Sequence, residues 1–206
     1  MGAELTVVLD ASVRTLDPDT ELMLRFQEGD ASSFDEIVAR YRKPLLGFLI
    51  RLVRDAAASE ELLQEAFLRV YQHRSRYRPQ ARFSTWIHQI AQNLAFNYMR
   101  DHRRDRLHDS LDEPTPEDTA PRELADLRPT TEQSMIEATQ RARRQQRVQA
   151  AIAALPERQQ AAVILHKYQG MNYADIGSTL KLSESATKSI LFRAYESLRR
   201  ELKDLL

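Results

Sequence analysis

Apolar side chains recur along this chain at three- and four-residue intervals in two long blocks, and the stretch between the blocks lacks the pattern. In the first block Leu22, Leu24, Phe26, Phe34, Ile37, Val38 and Tyr41 keep helical spacing, and Leu45, Leu46, Leu49, Leu52 and Val53 continue it after Pro44. Asp30, Ser32 and Ser33 supply N-cap side chains after Gly29, so a helix restarts there. Ser59 is read as the cap of a further helix with Leu62, Leu63, Ala66, Phe67 and Val70 on one face, leaving Glu60, Glu61, Gln64, Glu65 and Arg69 on the other. A fourth helix starts near Ser84 or Thr85 and runs through Trp86, Ile87, Ile90, Leu94 and Tyr98 to Arg100, Arg103 and Arg104. Trp86 shares the spacing of Ile87, Ile90 and Leu94 and is read as core. Between these last two helices, Arg74 to Phe83 forms a basic loop around Pro79.

The second block carries the more specific pattern. After Leu155-Pro156-Glu157-Arg158-Gln159, the apolar series Ala162, Val163, Leu165 and Tyr168 ends at Gly170, a natural helix stop. Asn172 then caps a short helix, Tyr173 to Leu180, and Ser183 caps a longer one reaching Leu202 or beyond. A short helix, a tight turn and a longer polar-faced helix make the helix-turn-helix pattern, whose second helix is expected to enter a major groove, the alternative being a solvated amphipathic helix in an ordinary bundle. Ala174, Ile176, Leu180, Leu182, Ala186, Ile190, Leu191 and Leu198 provide its internal apolar set. Glu184, Ser185, Thr187, Lys188 and Arg193 are left facing outward. Hydroxyl, ammonium and guanidinium groups on such a helix suit base edges and phosphates.

Composition sharpens this picture. With five glycines, no cysteine and an abundance of helix formers in 206 residues, the chain reads as all-α, without disulfides, thiolate metal sites or thiol nucleophiles. The histidines His73, His88, His102, His108 and His166 lack metal-ligand spacing, so neither a metal nor a cofactor is expected. No apolar run is long enough to cross a bilayer and no charged-then-apolar leader opens the sequence, which predicts a cytoplasmic protein without membrane insertion. Thirty basic and thirty acidic side chains cancel overall, yet they are segregated. From Arg69 to Arg106 nine arginines face two aspartates, a net of +7, whereas Ser110 to Glu137 carries eight acids against two arginines, a net of −6. That acidic stretch holds Pro114, Pro116, Pro121 and Pro129 and reads as a flexible linker. The expected division is an N-terminal tail (1–18), a helical domain (19–108), the acidic linker (109–133) and a second helical domain (134–206).

Several of these stretches together resemble the extracytoplasmic-function sigma factors of the sigma-70 family. Leu155-Pro156-Glu157-Arg158-Gln159, Gly170-Met171-Asn172-Tyr173-Ala174-Asp175-Ile176-Gly177, Leu182-Ser183-Glu184, Lys188-Ser189, Arg193-Ala194 and Leu198-Arg199 look like that family's promoter-reading domain. Glu60 to Phe67 is similar to its polymerase-docking helix, and Phe83-Ser84-Thr85-Trp86-Ile87 through Tyr98-Met99-Arg100 to its strand-opening segment. The resemblance implies a four-helix sigma-2 type domain and a helix-turn-helix sigma-4 type domain. It implies binding to core RNA polymerase through the β′ clamp helices and the β flap, with Glu61, Gln64 and Glu65 on the docking face. It implies −10 recognition and melting by Arg76, Arg78, Asn93, Asn97, Arg100 and Arg103, and −35 recognition by Glu184, Ser185, Thr187, Lys188 and Arg193. An anti-sigma partner, passage of the linker through the polymerase active-site channel, and service in a stress or envelope response are implied in the same way. The family often has Gly-Thr-Val before Lys-Ser and arginine after it, where this chain has Ser185-Ala186-Thr187 and Ile190. Asn97 stands where an acid is common. Base preference is therefore left open.

Other classes fit less well. The chain has no P-loop, no Gly-x-Gly turn and no zincin motif, so an enzyme is not expected. The rival reading is an autonomous helix-turn-helix regulator that binds operator DNA as a homodimer. A helical interaction scaffold would make the arginine-rich loop incidental. Met1 to Asp17, with Leu5, Val7, Val8 and Leu9, carries no usable motif.

Overall fold

A computed structural model describes residues 17–108 and 132–205; the readings of the N-terminal tail before Asp17 and of the acidic stretch 109–131 lie outside the described residues. Among the described residues eight α-helices follow one another: α1 (Pro18–Gln27), α2 (Ala31–Val53), α3 (Ala56–Gln72), α4 (Phe83–His108), α5 (Glu132–Ala153), α6 (Glu157–Tyr168), α7 (Tyr173–Leu180) and α8 (Glu184–Glu201), with short 3-10 turns at Arg74–Arg76 and Lys203–Leu205. No strand occurs among the described residues, and the all-α expectation holds.

Local chemistry explains most boundaries. Asp30 accepts a hydrogen bond from the Ser32 amide at the start of α2, Asn172 from Asp175 at α7, and Ser183 from Ala186 at α8. The cap of α3 needs correction: the helix opens at Ala56 under Asp55, whose carboxylate accepts from the Ala58 amide, while the Ser59 hydroxyl lies inside the helix and donates to the Asp55 carbonyl. An ionised carboxylate at the positive end of the helix dipole outcompetes a hydroxyl four residues later. Pro44 does not divide the first block, since α2 runs unbroken through it for 23 residues, roughly 35 Å. Gly170 adopts φ +64 just past α6, and Lys181 takes a left-handed φ of 54 between α7 and α8.

α1 to α4 enclose Met23, Ile37, Leu45, Phe48, Leu49, Phe83, Ile87 and Ala91, all fully buried, and α6 to α8 enclose Ile164, Leu165, Ile176 and Leu191. Ala174, expected inside, is exposed, because α7 turns Ile176, Thr179 and Leu180 inward instead. α7 approaches α8 so closely that a β-carbon on Gly177 would lie 2.9 Å from the Leu182 carbonyl oxygen and 3.0 Å from the Thr187 hydroxyl. Gly177→Ala is therefore expected to cost about 1–3 kcal/mol, a size typical of overpacking, and to lower the unfolding midpoint in urea.

The two groups of helices touch. α7 packs on α4 and α6 on α2. The buried Gln160 side chain donates to the Arg51 carbonyl at 3.2 Å, Gln169 to the Pro44 carbonyl at 3.2 Å, and the Arg51 guanidinium lies over the Tyr168 ring. Thr85 donates to Asp175, and Arg103 pairs with Glu157 at 2.8 Å.

Candidate functional site

Three surfaces carry the residues singled out from the sequence. On α3, Glu61 and Gln64 are exposed, and Glu65 is half-buried and accepts from Arg69 at 2.7 Å. Positions 61, 64, 65 and 68 fall on one helical stripe, so Leu68, 48% exposed, joins them. Sequence reading missed it because it looked for polar residues there, whereas the i+7 spacing from Glu61 marks it. An apolar side chain among acids on an exposed stripe suits a partner offering both a hydrophobic contact and basic groups.

The second surface is the loop after α3 together with α4. Arg76 and Arg78 are exposed, and the Arg78 guanidinium donates to the Tyr77 carbonyl at 2.9 Å. Arg74 lies over the rings of Tyr71 and Phe26, so that cation is engaged in packing. The loop is pinned from α1: Gln27 donates to the carbonyls of Arg74 (2.8 Å) and Tyr77 (3.3 Å), and the buried Thr20 and Tyr77 hydroxyls pair at 3.4 Å. These positioning contacts link residues 47 to 57 apart in sequence, out of reach of any local pattern. Trp86 packs on Tyr77 and Phe83, as its spacing predicted. On α4, Asn93, Asn97, Arg100 and Arg103 are exposed along one face, with Arg103 held by Glu157.

Behind that face His88 is buried against Phe48, its Nδ1 at 2.8 Å from the Ser84 carbonyl and its Nε2 without a hydrogen-bond partner among the described residues. Burial pushes its pKa below the usual 6.5. The unfolded chain thus takes up a proton near pH 6.5 that the folded chain refuses, so stability is full above that pH and declines as pH falls below it. Urea unfolding is expected to show a loss of about 1 kcal/mol between pH 7.5 and 5.5 that His88→Gln removes.

The third surface is α8. Glu184, Ser185, Lys188 and Arg193 are exposed, and the hydrogen bond from Lys188 to Glu184 raises the ammonium above its usual pKa. Thr187 does not face outward. It is fully buried, its hydroxyl donating to the Ser183 carbonyl and meeting Gly177, because the close α7–α8 crossing takes up that side of the helix. In its place Ser189 and Phe192 lie with Lys188 and Arg193 around a shallow depression, Phe192 being 67% exposed. A bare phenyl ring between two cations fits a surface with apolar methyls flanked by anions, which a thymine-containing major groove presents.

Among the described residues no group of three or more side chains could hold a metal ion, and no helix is long and apolar enough to cross a membrane. The family pattern described as "Sigma-70 region 2" matches residues 37–105, and that described as "Sigma-70, region 4" matches 145–198. RNA polymerase sigma factor CarQ of Myxococcus xanthus is 33% identical over 184 residues, covering 89% of this chain and 97% of that protein. RNA polymerase sigma-H factor of Pseudomonas aeruginosa is 29% identical over 196 residues, covering 93% and 97%. In fold the chain is similar to CnrH, solved in complex with the cytosolic domain of CnrY (TM-score 0.66, 18% identity, 91% of this chain and 99% of that one). It is similar also to RpoE of Bartonella quintana, solved with the anti-sigma factor NepR (TM-score 0.66, 19% identity, 84% and 98%).

Proposed function

The chain belongs to the extracytoplasmic-function group of the sigma-70 family, and on that premise we propose that it binds core RNA polymerase and directs promoter-specific transcription initiation. The observation that carries this reading is the order of the two matched regions on one chain, each with an exposed face of the right chemistry. Residues 19–108 dock on polymerase through Glu61, Gln64, Glu65 and Leu68. They also open the −10 region, with Arg76, Arg78, Arg100 and Arg103 tracking a single-stranded backbone and Asn93 and Asn97 offering hydrogen bonds to unstacked bases. Residues 134–206 read the −35 element with Glu184, Ser185, Lys188, Phe192 and Arg193. The protein acts in the cytoplasm, performs no covalent chemistry itself, and is held in check by an anti-sigma partner of the kind named in the Bartonella quintana complex.

The −10 and −35 elements lie about 25 steps apart, roughly 85 Å of B-form duplex at ~3.4 Å per step. Arg103 and Glu157, one from each block, are in contact, so the two blocks part before both elements are read. The contacts to be broken include an exposed ion pair of low worth and two side-chain hydrogen bonds of 3.4 Å, Thr85 to Asp175 and Gln89 to the Ser178 carbonyl. The natural chain has no cysteine, so a Thr85→Cys, Asp175→Cys pair provides an unambiguous lock. Oxidation is expected to reduce transcript yield to background and a reductant to restore it.

The reading is tested by run-off transcription from a genomic fragment library with core polymerase, with and without the purified chain. Discrete promoter-dependent transcripts support it. Tight operator binding by a homodimer, with no effect on polymerase, favours the autonomous regulator.

A further inference from the structure

Residues 137–147 of α5 are exposed on every side. A surface helix ordinarily keeps an apolar stripe for the body it covers, yet here the only apolar side chains are the methyls of Ala138 and Ala142. Arg141, Arg143, Arg144 and Arg147 stand against the single acid Glu137, a net of +3. At about 100° per residue the four arginines occupy roughly 160° of the circumference, less than half of it. Arg147 forks the Asp204 carboxylate at 2.6 and 2.9 Å, whereas Arg141, Arg143 and Arg144 meet no acid among the described residues.

The other end of α5 is anchored. Ala151 and Ile152 are buried, α5 packs on α6 and α8 and also on α2, and the Arg147–Asp204 fork ties it to the turn that follows α8. The arginine face is therefore joined to the C-terminal end of α8, the opposite end of that helix from Ser185 and Lys188. A protein partner would need apolar or aromatic anchors at the centre of its interface, and this stretch offers none. Guanidinium groups without apolar neighbours match phosphates, which they bind through paired N–H donors.

We propose that Arg141, Arg143 and Arg144 form a phosphate-binding surface for the promoter duplex beside the −35 element, distinct from the groove-reading face of α8. The proposal rests on the −35 reading given above. It assigns to α5 affinity without base preference, because phosphate contacts position a protein and carry no direct sequence information.

The test is the salt dependence of promoter binding by holoenzyme reconstituted from core polymerase and the full chain. For Arg141→Gln/Arg143→Gln/Arg144→Gln, the slope of log affinity against log salt is expected to flatten by about 2.7, at ~0.9 per lost phosphate contact. The corresponding triple lysine variant is expected to keep the wild-type slope. Trimming the duplex to the −35 element itself should erase the difference between the glutamine variant and wild type. An unchanged slope in the glutamine variant overturns the proposal, as does a loss of affinity for core polymerase in its place, which would make the face a protein contact. If wild-type holoenzyme forms no promoter complex at any salt concentration, the underlying −35 reading fails, and the wild-type arm identifies that outcome.

Discussion

Replacing Lys188 and Arg193 together by alanine is expected to lower holoenzyme affinity for a −35 element by roughly two orders of magnitude while leaving core polymerase binding unchanged. Both side chains are exposed on α8 and border the depression at Phe192. Neither touches the packing between α7 and α8, which is made by Gly177, Leu182, Thr187 and Leu191. Each is assigned a base-edge or phosphate contact worth about 1–3 kcal/mol, and tenfold in affinity corresponds to about 1.4 kcal/mol. The Lys188–Glu184 pair is exposed and screened by solvent, so its loss should leave the urea unfolding midpoint nearly unchanged. Electrophoretic or fluorescence titration of holoenzyme on promoter fragments gives the affinity, and competition for core polymerase gives the control. A parallel fall in core binding would show that the division of labour between α3 and α8 is wrong.

The complementary change lies on α3. Glu61→Lys combined with Leu68→Ala is expected to weaken core polymerase binding at least a hundredfold and to silence every promoter alike. Placing a cation opposite a basic partner turns attraction into a repulsion of a few kcal/mol, and removing Leu68 deletes the largest exposed apolar contact on the stripe. Neither residue belongs to the buried apolar core, which on this helix is Ala58, Leu63, Ala66 and Val70, so the variant should fold as the natural chain does. Unchanged core affinity in a folded variant would remove α3 from the docking surface. A loss confined to one promoter would reassign it to DNA reading.

The contrast between the two surfaces shows what a sequence alone discloses. Asn172 and Ser183 were legible as caps because a side-chain oxygen bonding a backbone amide two or three residues away is a purely local event. The stripes of α2, α3 and α4 were legible for the same reason, since helical spacing is local. Asp55 was missed because it competed with Ser59 four residues on, and only the full helix dipole decides between them. Thr187 was placed outward because it is polar, although its spacing of three and four residues from Ile190 and Leu191 puts it on the apolar stripe that the crossing with α7 closes against Gly177. The support of the arginine loop by Thr20 and Gln27, and the contact between the two helical groups through Gln160, Gln169 and Arg103, depend on pairs more than forty residues apart. Phe192 was passed over because it is apolar, although its spacing of four and three residues from Lys188 and Ser189 puts it on the outward face, where it is 67% exposed.

The central claim is that the chain works as a subunit of a multisubunit polymerase, and the most direct measurement is titration of the fluorescently labelled full-length chain with purified core enzyme. The account predicts saturable one-to-one binding that unlabelled chain displaces and that Glu61→Lys/Leu68→Ala abolishes. Absence of saturable binding at any salt concentration, with the same preparation still holding DNA through α8, would contradict it.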